Sequence, residues 1–273
     1  MIRSDATAES KLAILAAGVQ QTEDGTFVSQ AYRFLPGDYL HFSFQVSGFT
    51  PHANASEEPA KISLTYEIAL EDAKNVPLLP SESGKIEAEL NPEDKDWLPK
   101  KRAVFLLPSF LAAGEYHVHV AVKDRFGKAE TSTDFPFSIG GTKIQPCAAL
   151  CVQQFQYFRS ENEAQPLDVP AYGPGDTVYA RFDIAGFRLG SENAYHVSYG
   201  VTVLRPNGKT FFEEPNAAQL SSTSFYPPHF LPGNANLKIS RDTPPGQYVI
   251  VLAIHDLIGN QTYELRQPFS IER

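Results

Sequence analysis

The sequence predicts an all-β protein that consists of two tandem β-sandwich domains related by an internal repeat. Three observations lead to this prediction. A set of short motifs occurs twice, in the same order, along the 273 residues. Apolar residues alternate with polar ones at a period of two, as in strands that pack on one face. The 21 prolines and 18 glycines lie mostly between these alternating runs, where turns are expected.

The internal repeat rests on five pairs of motifs. They are Pro36-Gly37-Asp38 with Pro174-Gly175-Asp176, Gly48-Phe49 with Gly186-Phe187, Gly114-Glu115-Tyr116 with Gly246-Gln247-Tyr248, Asp124 and Gly127 with Asp256 and Gly259, and 136–139 with 268–271. The separation drifts only from 138 residues at the first pair to 132 at the last, so the differences are short loop deletions. We expect domains at 1–140 and 141–273, joined at Gly140-Gly141.

Each half contains four clear alternating runs, in the same order. They are 40–46, 62–70, 103–107 and 116–122 in the first half, and 178–184, 197–204, 235–239 and 248–254 in the second. The first run of each half follows Pro-Gly-Asp and ends at Gly-Phe, both of which favour turns. A turn at 205–208 reverses the chain into Phe211-Phe212, and 74–75 leads less regularly to Leu78-Leu79. The sequence therefore predicts seven or eight short strands in each half and no helix.

Alternation places one set of side chains from these strands on a single face, and this face is predicted to form the core. The predicted core side chains are Phe42, Phe44, Tyr116, Val118 and Val120 in the first half, and Phe182, Ile184, Tyr248, Ile250 and Leu252 in the second.

The segment 114–127 and its copy at 246–259 resemble the penultimate strand and final hairpin of immunoglobulin-like domains. They are most similar to the domains found in tandem in bacterial extracytoplasmic proteins, and to fibronectin type III domains. Tyr116 and Tyr248 stand at the position that resembles the tyrosine corner of that fold. The resemblance implies two tandem immunoglobulin-like β-sandwich domains. It brings no functional residues with it.

Cys147 and Cys151 are the only cysteines. Aligning 19–21 with 152–154 places both on the first strand of the second half. In an extended strand, Cα atoms four residues apart are separated by about 13 Å. A disulfide requires about 7 Å or less. We therefore expect the two cysteines not to be bridged and to serve as small apolar strand residues.

The charge and hydropathy of the chain restrict its partners. A net charge of −9 with no basic run disfavours nucleic acid and anionic membrane surfaces. No apolar stretch is long enough for a membrane span. The first eleven residues are polar and lack the apolar stretch of a signal peptide. Given the fold class, we expect a periplasmic or secreted protein whose signal sequence has been removed.

The sequence contains no recognisable catalytic constellation. Gly-x-Ser-x-Gly, His-Glu-x-x-His and phosphate-loop motifs are absent from it. His117 and His119 point to one face of a strand and could bind zinc or copper if a third ligand approached. A solvated outer face explains them as well. We predict a non-enzyme with no metal and no cofactor, and a small hydrolase or metal-dependent enzyme remains the second alternative.

An aromatic segment in the second half is the best candidate for a binding surface. It contains Phe225, Tyr226, His229 and Phe230, with no aromatic cluster in its counterpart. Exposed aromatic side chains on a loop could stack on sugars or grip a peptide. The alternative is a loop that folds over its own sandwich. The predicted function is adhesion, scaffolding or protein recognition, with a carbohydrate-binding or enzyme-accessory module as the first alternative.

The outer face of the last regular strand is a second candidate contact surface. Val249, Val251 and Ala253 replace outward polar residues such as His117 and His119 of the first half. An apolar outer face favours association or coverage. We therefore expect this face to pack on the first domain, on a long loop or on a second copy of the chain. The alternative is that valine is simply well suited to strands.

Overall fold

The computed structural model describes residues 11–273 except 24, 54–58, 92 and 95. The chain divides into two compact units, Met1–Thr142 and Lys143–Arg273. This division falls two residues after the predicted domain boundary. No helix among the described residues is long and apolar enough to cross a membrane.

The first unit is a sandwich of a three-stranded and a four-stranded antiparallel sheet. Its strands are β1 (Ala13–Gln20), β2 (Tyr39–Ser47), β3 (Ala60–Asp72), β4 (Glu82–Leu90), β5 (Lys100–Leu106), β6 (Gly114–Asp124) and β7 (Glu130–Ile139). The sheet orders are β1-β2-β5 and β4-β3-β6-β7.

The second unit repeats this arrangement with one short additional strand. Its strands are β8 (Cys151–Phe158), β9 (Ala171–Tyr172), β10 (Thr177–Ala185), β11 (Tyr195–Leu204), β12 (Thr210–Ser222), β13 (Phe230–Lys238), β14 (Gly246–Asp256) and β15 (Gln261–Ile271). The sheet orders are β13-β10-β8 and β12-β11-β14-β15-β9. A three-residue 3-10 turn at Ser191–Asn193 is the one short helical element in the part of the chain that is described.

The strand order has the form of an immunoglobulin-like sandwich, and it confirms the predicted all-β fold class. In immunoglobulin constant domains the fourth strand joins the sheet of the first, second and fifth. Here β4, the fourth strand of the first unit, pairs instead with the third strand, β3, and its counterpart β12 in the second unit pairs with β11. The repeat also extends to the parallel contact of β9, because Phe34 pairs with Ile139 as Tyr172 pairs with Ile271.

The alternation of the strands predicted the core correctly. All ten side chains assigned to the inward faces are buried, with at most 6% of any of them exposed. Burying an aromatic or branched aliphatic side chain contributes about 1.5–3 kcal/mol. These strands therefore supply much of the driving force for folding of each unit.

Both predicted tyrosine corners form. The Tyr116 hydroxyl donates to the main-chain oxygen of Ala112 over 2.8 Å, and the Tyr248 hydroxyl donates to that of Pro244 over 2.9 Å. Each hydrogen bond reaches four residues back, to the connection that precedes the strand. The same residue in both copies therefore fastens the same corner of the sandwich.

The predicted alignment of the first strands is wrong by five residues. Val152 pairs with Ile184 in the second unit, and its counterpart is Ile14, which pairs with Val46. Each strand carries a bulge, where Ala16 and Gln154 have φ values of 44° and 52°. A bulge interrupts the alternation on which the alignment depended.

The prediction that the cysteines are unbridged is also wrong. Cys147 and Cys151 form a disulfide with their Cα atoms 6.5 Å apart. The strand begins only at Cys151, and residues 148–150 form a bend rather than extended chain. A Cα separation of about 13 Å applies only to an extended segment. The bend brings Cys147 and Cys151 within the distance that a disulfide can bridge.

Candidate binding site at one end of the second sandwich

Three connections of the second unit meet at one end of its sandwich. They are 186–194, 223–229 and 257–260. The strand registers place them together, because the residues that adjoin these connections are paired with one another. The pairs are Ala185 with Phe230, Tyr195 with Ser222, and Val197 with Asp256. In antibody variable domains, loops clustered at one end of a sandwich form the antigen-binding surface. This end of the second sandwich is therefore a candidate binding surface.

The carboxylate of Asp256 holds two of these connections together. Its Oδ2 accepts from Arg188 N at 2.8 Å and from the Gln261 side-chain amide at 2.9 Å, and its Oδ1 accepts from Ile258 N and Gly259 N. Burial alone would raise the pKa of Asp256, but these hydrogen bonds outweigh burial and hold the pKa below its usual range. The ionised carboxylate is therefore the form that the fold stabilises.

The disulfide braces the same end. Gln261 Oε1 accepts from Leu150 N at 3.0 Å, so the disulfide loop contacts the final hairpin. Gly186 has a φ of 73°, and a Cβ there would lie 2.1 Å from Ala149 O. Only glycine allows the connection 186–194 to approach the disulfide loop this closely. The three connections are thus held on a rigid base.

The predicted aromatic segment divides into buried and exposed side chains. Tyr226 and Phe230 are buried, with 4% and 7% of their surfaces exposed. Their side chains belong to the sandwich, as the alternative interpretation of this loop expected. Phe225 is 55% exposed, and His229 is exposed with its Nε2 3.0 Å from the Tyr226 hydroxyl. The surface that this segment offers therefore consists of Phe225 and His229.

Hydrogen bonds to main-chain oxygens hold the backbone at Phe225 in place. The Asn193 side-chain amide donates to Phe225 O at 2.8 Å and to Ser224 O at 3.1 Å. Glu192, Asn193, Thr223 and Ser224 form with Phe225 an open depression of about 340 Å³. An exposed aromatic ring on anchored backbone loses little conformational freedom when it binds a partner.

The final hairpin adds two exposed apolar side chains to this end. Leu257 is 53% exposed and Ile258 is 40% exposed. Ile258 Cδ1 lies 3.7 Å from the place where Gly190 would carry a Cβ. We call Phe225, Leu257 and Ile258 together the loop-end patch. From sequence, 256–259 is predicted only as part of the final hairpin. Turns usually carry polar residues, so the apolar pair Leu257-Ile258 is the signal that points to a surface there.

The second predicted surface lies on β14, away from the loop-end patch. Val251 is 8% exposed, whereas Val249 and Ala253 are half-buried. Val251 lies between Thr202 of β11 and Arg266 of β15 in the pairing register. The proposed contact of this face with a partner stays a prediction.

The two histidines of the first unit each contact a carboxylate. His117 Nε2 lies 3.1 Å from Glu71 Oε2, and His119 Nδ1 lies 2.6 Å from Asp134 Oδ1. No group of three or more potential metal ligands occurs among the described residues. The two imidazoles are therefore accounted for by ion pairs or hydrogen bonds along the sheet surface.

Asp183 is the one carboxylate whose pKa is raised clearly within the described chain. It lies on β10, is 9% exposed, and burial raises its pKa to about 6. The folded state holds this proton more tightly than the unfolded chain does. The free energy of unfolding of the second unit therefore falls as the pH rises from about 4 to about 6. At neutral pH the buried charge therefore destabilises the second unit.

Asp183→Asn should consequently stabilise the second unit at pH 8 by about 1–3 kcal/mol. At pH 4 the wild-type side chain is already protonated, so the two proteins should have similar stability. Urea denaturation of both proteins at the two pH values measures this difference. Equal stabilisation at pH 4 and pH 8 would contradict the assigned cause.

No protein-family description and no curated protein matches the chain. The C-terminal domain of the Streptococcus pyogenes antigen I/II-family protein AspA is similar, with 10% identity, a TM-score of 0.31, and coverage of 94% of this chain and 99% of that one. The corresponding domain of the Streptococcus agalactiae AgI/II polypeptide BspA has 9% identity, a TM-score of 0.32 and the same coverage.

A family 123 glycoside hydrolase from Clostridium perfringens is a third similar structure. It has 14% identity and a TM-score of 0.31, over 46% of this chain and 27% of that one. TM-scores near 0.3 with such low identities carry no argument about the function of this chain.

Proposed function

We propose that this chain is a non-enzymatic binding module that acts outside the cytoplasm, in adhesion, scaffolding or protein recognition. The observation that carries the proposal is the loop-end patch. Phe225, Leu257 and Ile258 are all at least 40% exposed at one end of a sandwich. Exposed apolar side chains on rigidly held connections at one end of a sandwich are typical of contact surfaces.

The way in which the patch is held supports a recognition role. Asp256 fixes the hairpin that carries Leu257 and Ile258, and Asn193 fixes the backbone of Phe225. A preorganised surface binds with a smaller entropic cost than a flexible loop. The features shared by both units are tyrosine corners, turn glycines and core aromatics, which serve folding. At the equivalent end of the first unit, Phe126 stands in place of Ile258 and is also 40% exposed, whereas Arg125 stands in place of Leu257.

The disulfide supports the proposed location. Disulfides form and persist mainly in oxidising compartments, such as the periplasm and the extracellular space. The bridge between Cys147 and Cys151 closes the loop that braces the base of the patch. An extracytoplasmic setting would keep this loop closed.

The proposal is tested by probing protein and glycan arrays with the labelled chain and two variants. The double variant Phe225→Ser/Leu257→Ser should lose at least about tenfold in signal on any ligand that the wild type binds, since buried apolar anchors dominate binding energy. Val169→Ser is the matched control, because Val169 is 68% exposed and precedes β9, at the opposite end of the unit.

The control should bind like the wild type. Loss of binding in the double variant with retention in the control would support the patch. Equal binding by all three proteins, or turnover of an arrayed ligand, would contradict the proposal.

A further inference from the structure

The last strand of the three-stranded sheet in the first unit has an open edge. β5 pairs with β2 on one side, and no strand in the described part of the chain pairs with its other side. Leu107 N donates to Asp38 O over 2.9 Å, and Val46 N donates to Pro99 O over 3.1 Å. Hydrogen-bonded and non-hydrogen-bonded pairs alternate along an antiparallel pair. The odd-numbered residues of β5 therefore bond to β2, and the even-numbered ones direct their main-chain N–H and C=O groups to the open edge.

The second unit protects the equivalent edge. Its β13 aligns with β5, because Thr177 pairs with Lys238 as Tyr39 pairs with Leu106. At three edge positions Pro232 replaces Lys100, Asn236 replaces Val104, and Lys238 replaces Leu106. Proline lacks the N–H that a further strand would need, and lysine disfavours pairing at an exposed edge. The C-terminal half of β5 has neither device.

The side chains that stand beside this part of the edge are apolar and exposed. Val104 is 49% exposed and Leu106 is 51% exposed, both on the outer face of the sheet. Tyr39, which pairs with Leu106, is 60% exposed on the same face. An exposed strand edge with apolar side chains is a template on which another strand can pair. We call the open side of β5 the β5 edge.

The inner face of the opposite sheet is only half covered next to the β5 edge. β4 is the end strand of that sheet, and Glu82 of β4 lies 2.8 Å from Lys101 of β5, so both end strands are on the same side of the sandwich. Ile86 and Ala88 share the inward face with Glu82 and are half-buried, whereas Leu64, which pairs with Ile86, is fully buried. In immunoglobulin constant domains the fourth strand lies beside the fifth and covers this place. Here the described chain places no strand there.

The N-terminal half of β5 gives the edge a positive charge. Lys100 and Arg102 are exposed on the outer face. Arg102 lies 3.8 Å from Glu23, and both side chains of this pair are about half exposed or more, so the pair contributes little. Lys101 points inward instead, where its Nζ lies 5.0 Å from the ring centroid of Tyr66. Opposite charges on directly paired residues stabilise a sheet. A strand that pairs with β5 is therefore favoured if it carries acidic residues opposite Lys100 and Arg102.

We propose that the β5 edge binds an extended peptide segment of a partner protein, which adds an antiparallel strand to the three-stranded sheet. Its main chain bonds to the N–H and C=O groups of Val104 and Leu106. Its inward side chains are apolar and cover the half-buried inner face of β4, and its outward side chains are acidic opposite Arg102 and Lys100. Strand addition of this kind takes affinity from main-chain hydrogen bonds and specificity from alternate side chains. The site lies in the first unit and is independent of the loop-end patch, so its failure would leave the proposed function of that patch unaffected.

Titration of the whole chain with the peptide acetyl-Thr-Val-Thr-Val-Glu-Val-Glu-amide, followed by NMR, tests the proposal. Physiological ionic strength is used, because charges more than about 8 Å away are then largely screened. We expect saturable binding at one site, and protection of the Val104 and Leu106 amides from hydrogen exchange. A peptide with lysine in place of both glutamates should bind at least about tenfold more weakly, since like charges on directly opposite residues are destabilising.

Two protein variants locate the site. Val104→Asn/Leu106→Lys carries the residues of β13 at the same positions, and it should bind the peptide at least about tenfold more weakly because a lysine now guards the edge. Leu15→Lys is the matched control, because it places the same charge at a leucine that is 42% exposed on β1, the opposite end strand of the same sheet. It should bind the peptide like the wild type.

Four results would overturn the proposal. They are no saturable binding, equal binding of the lysine peptide, binding that leaves the Val104 and Leu106 amides unprotected, and unchanged binding in the folded double variant. A second copy of the chain is distinguished by a measurement without peptide. If the same amides become protected as the protein concentration rises, and the sedimented mass rises with them, the β5 edge pairs with a second copy and the peptide proposal is wrong.

Discussion

Asp256→Ala is expected to lower the free energy of unfolding of the second unit by about 3–5 kcal/mol, because a buried hydrogen-bonded charge is replaced by a methyl group. The substitution leaves the amides of Arg188, Ile258 and Gly259 without their carboxylate acceptor. It also removes the Arg188 hydrogen bond, which joins the connection 186–194 to the final hairpin together with the hydrogen bond from Gln261 Nε2 to Gly186 O. Calorimetry or urea denaturation that resolves the two units would measure the loss.

The corresponding residue of the first unit provides a matched comparison. Asp124 accepts from Thr50 N at 2.7 Å and from Phe126 N at 3.0 Å. Asp124→Ala should therefore destabilise the first unit while leaving the second unchanged. If Asp256→Ala lowers the free energy of unfolding by less than about 1 kcal/mol, the carboxylate does not hold the connections at this end together, since surface substitutions have effects of that size.

The effect of Asp256 should depend on pH. Since its pKa in the folded state lies below its usual range, its contribution is complete above about pH 4, the pKa of an unfolded aspartate. The contribution is lost as the pH falls through the folded-state pKa. The difference between wild type and Asp256→Ala should accordingly shrink in acid.

Val251→Lys is expected to destabilise the second unit by about 2–4 kcal/mol, because it removes a buried apolar side chain and introduces a charge. Val251 is 8% exposed on the outer face of β14. Denaturation measures the stability, and sedimentation measures the oligomeric mass. His255→Lys is the matched control, because His255 is exposed on the same face of the same strand.

Stability and oligomeric mass together show whether this face packs within the chain or on a second copy of it. A loss of stability without a change in mass would mean that the chain itself covers Val251. A fall in mass would mean that a second copy of the chain also packs on this face. Unchanged melting temperature and unchanged mass would contradict the prediction that this face is packed at all.

The regular parts of the fold could be predicted because alternation and burial coincide there. Tyr248, Ile250 and Leu252 of β14 are inward and buried, as a period of two requires. The tyrosine corners were implied by the resemblance of the Gly-x-Tyr segments to immunoglobulin-like domains. The burial of these strand residues depends on local alternation, which the sequence alone shows.

Other elements could not be predicted because local pattern does not determine them. The strand Glu82–Leu90 has mostly charged and small residues and lies at the edge of its sheet, whereas the sequence pattern predicts the return strand nearer to Leu78-Leu79. Leu78 is buried beside Leu70 instead. The disulfide depended on a bend in the chain, which the spacing of two cysteines does not reveal.

The candidate site was predicted only in part. The sequence singled out the aromatic segment, but it could not distinguish Phe225, which faces solvent, from Tyr226 and Phe230, which belong to the core. Consecutive aromatic residues in a connection have no period from which a face can be assigned. Leu257 and Ile258 join Phe225 only through the three-dimensional arrangement of the connections.

Hydroxyl-radical footprinting of the chain with a ligand recovered from the arrays tests the central claim most directly. The account predicts that Phe225, Leu257 and Ile258 become protected together, while Val169 at the opposite end is modified at the same rate with and without ligand. Protection confined to another surface, with the loop-end patch still modified at its unbound rate, would contradict the claim.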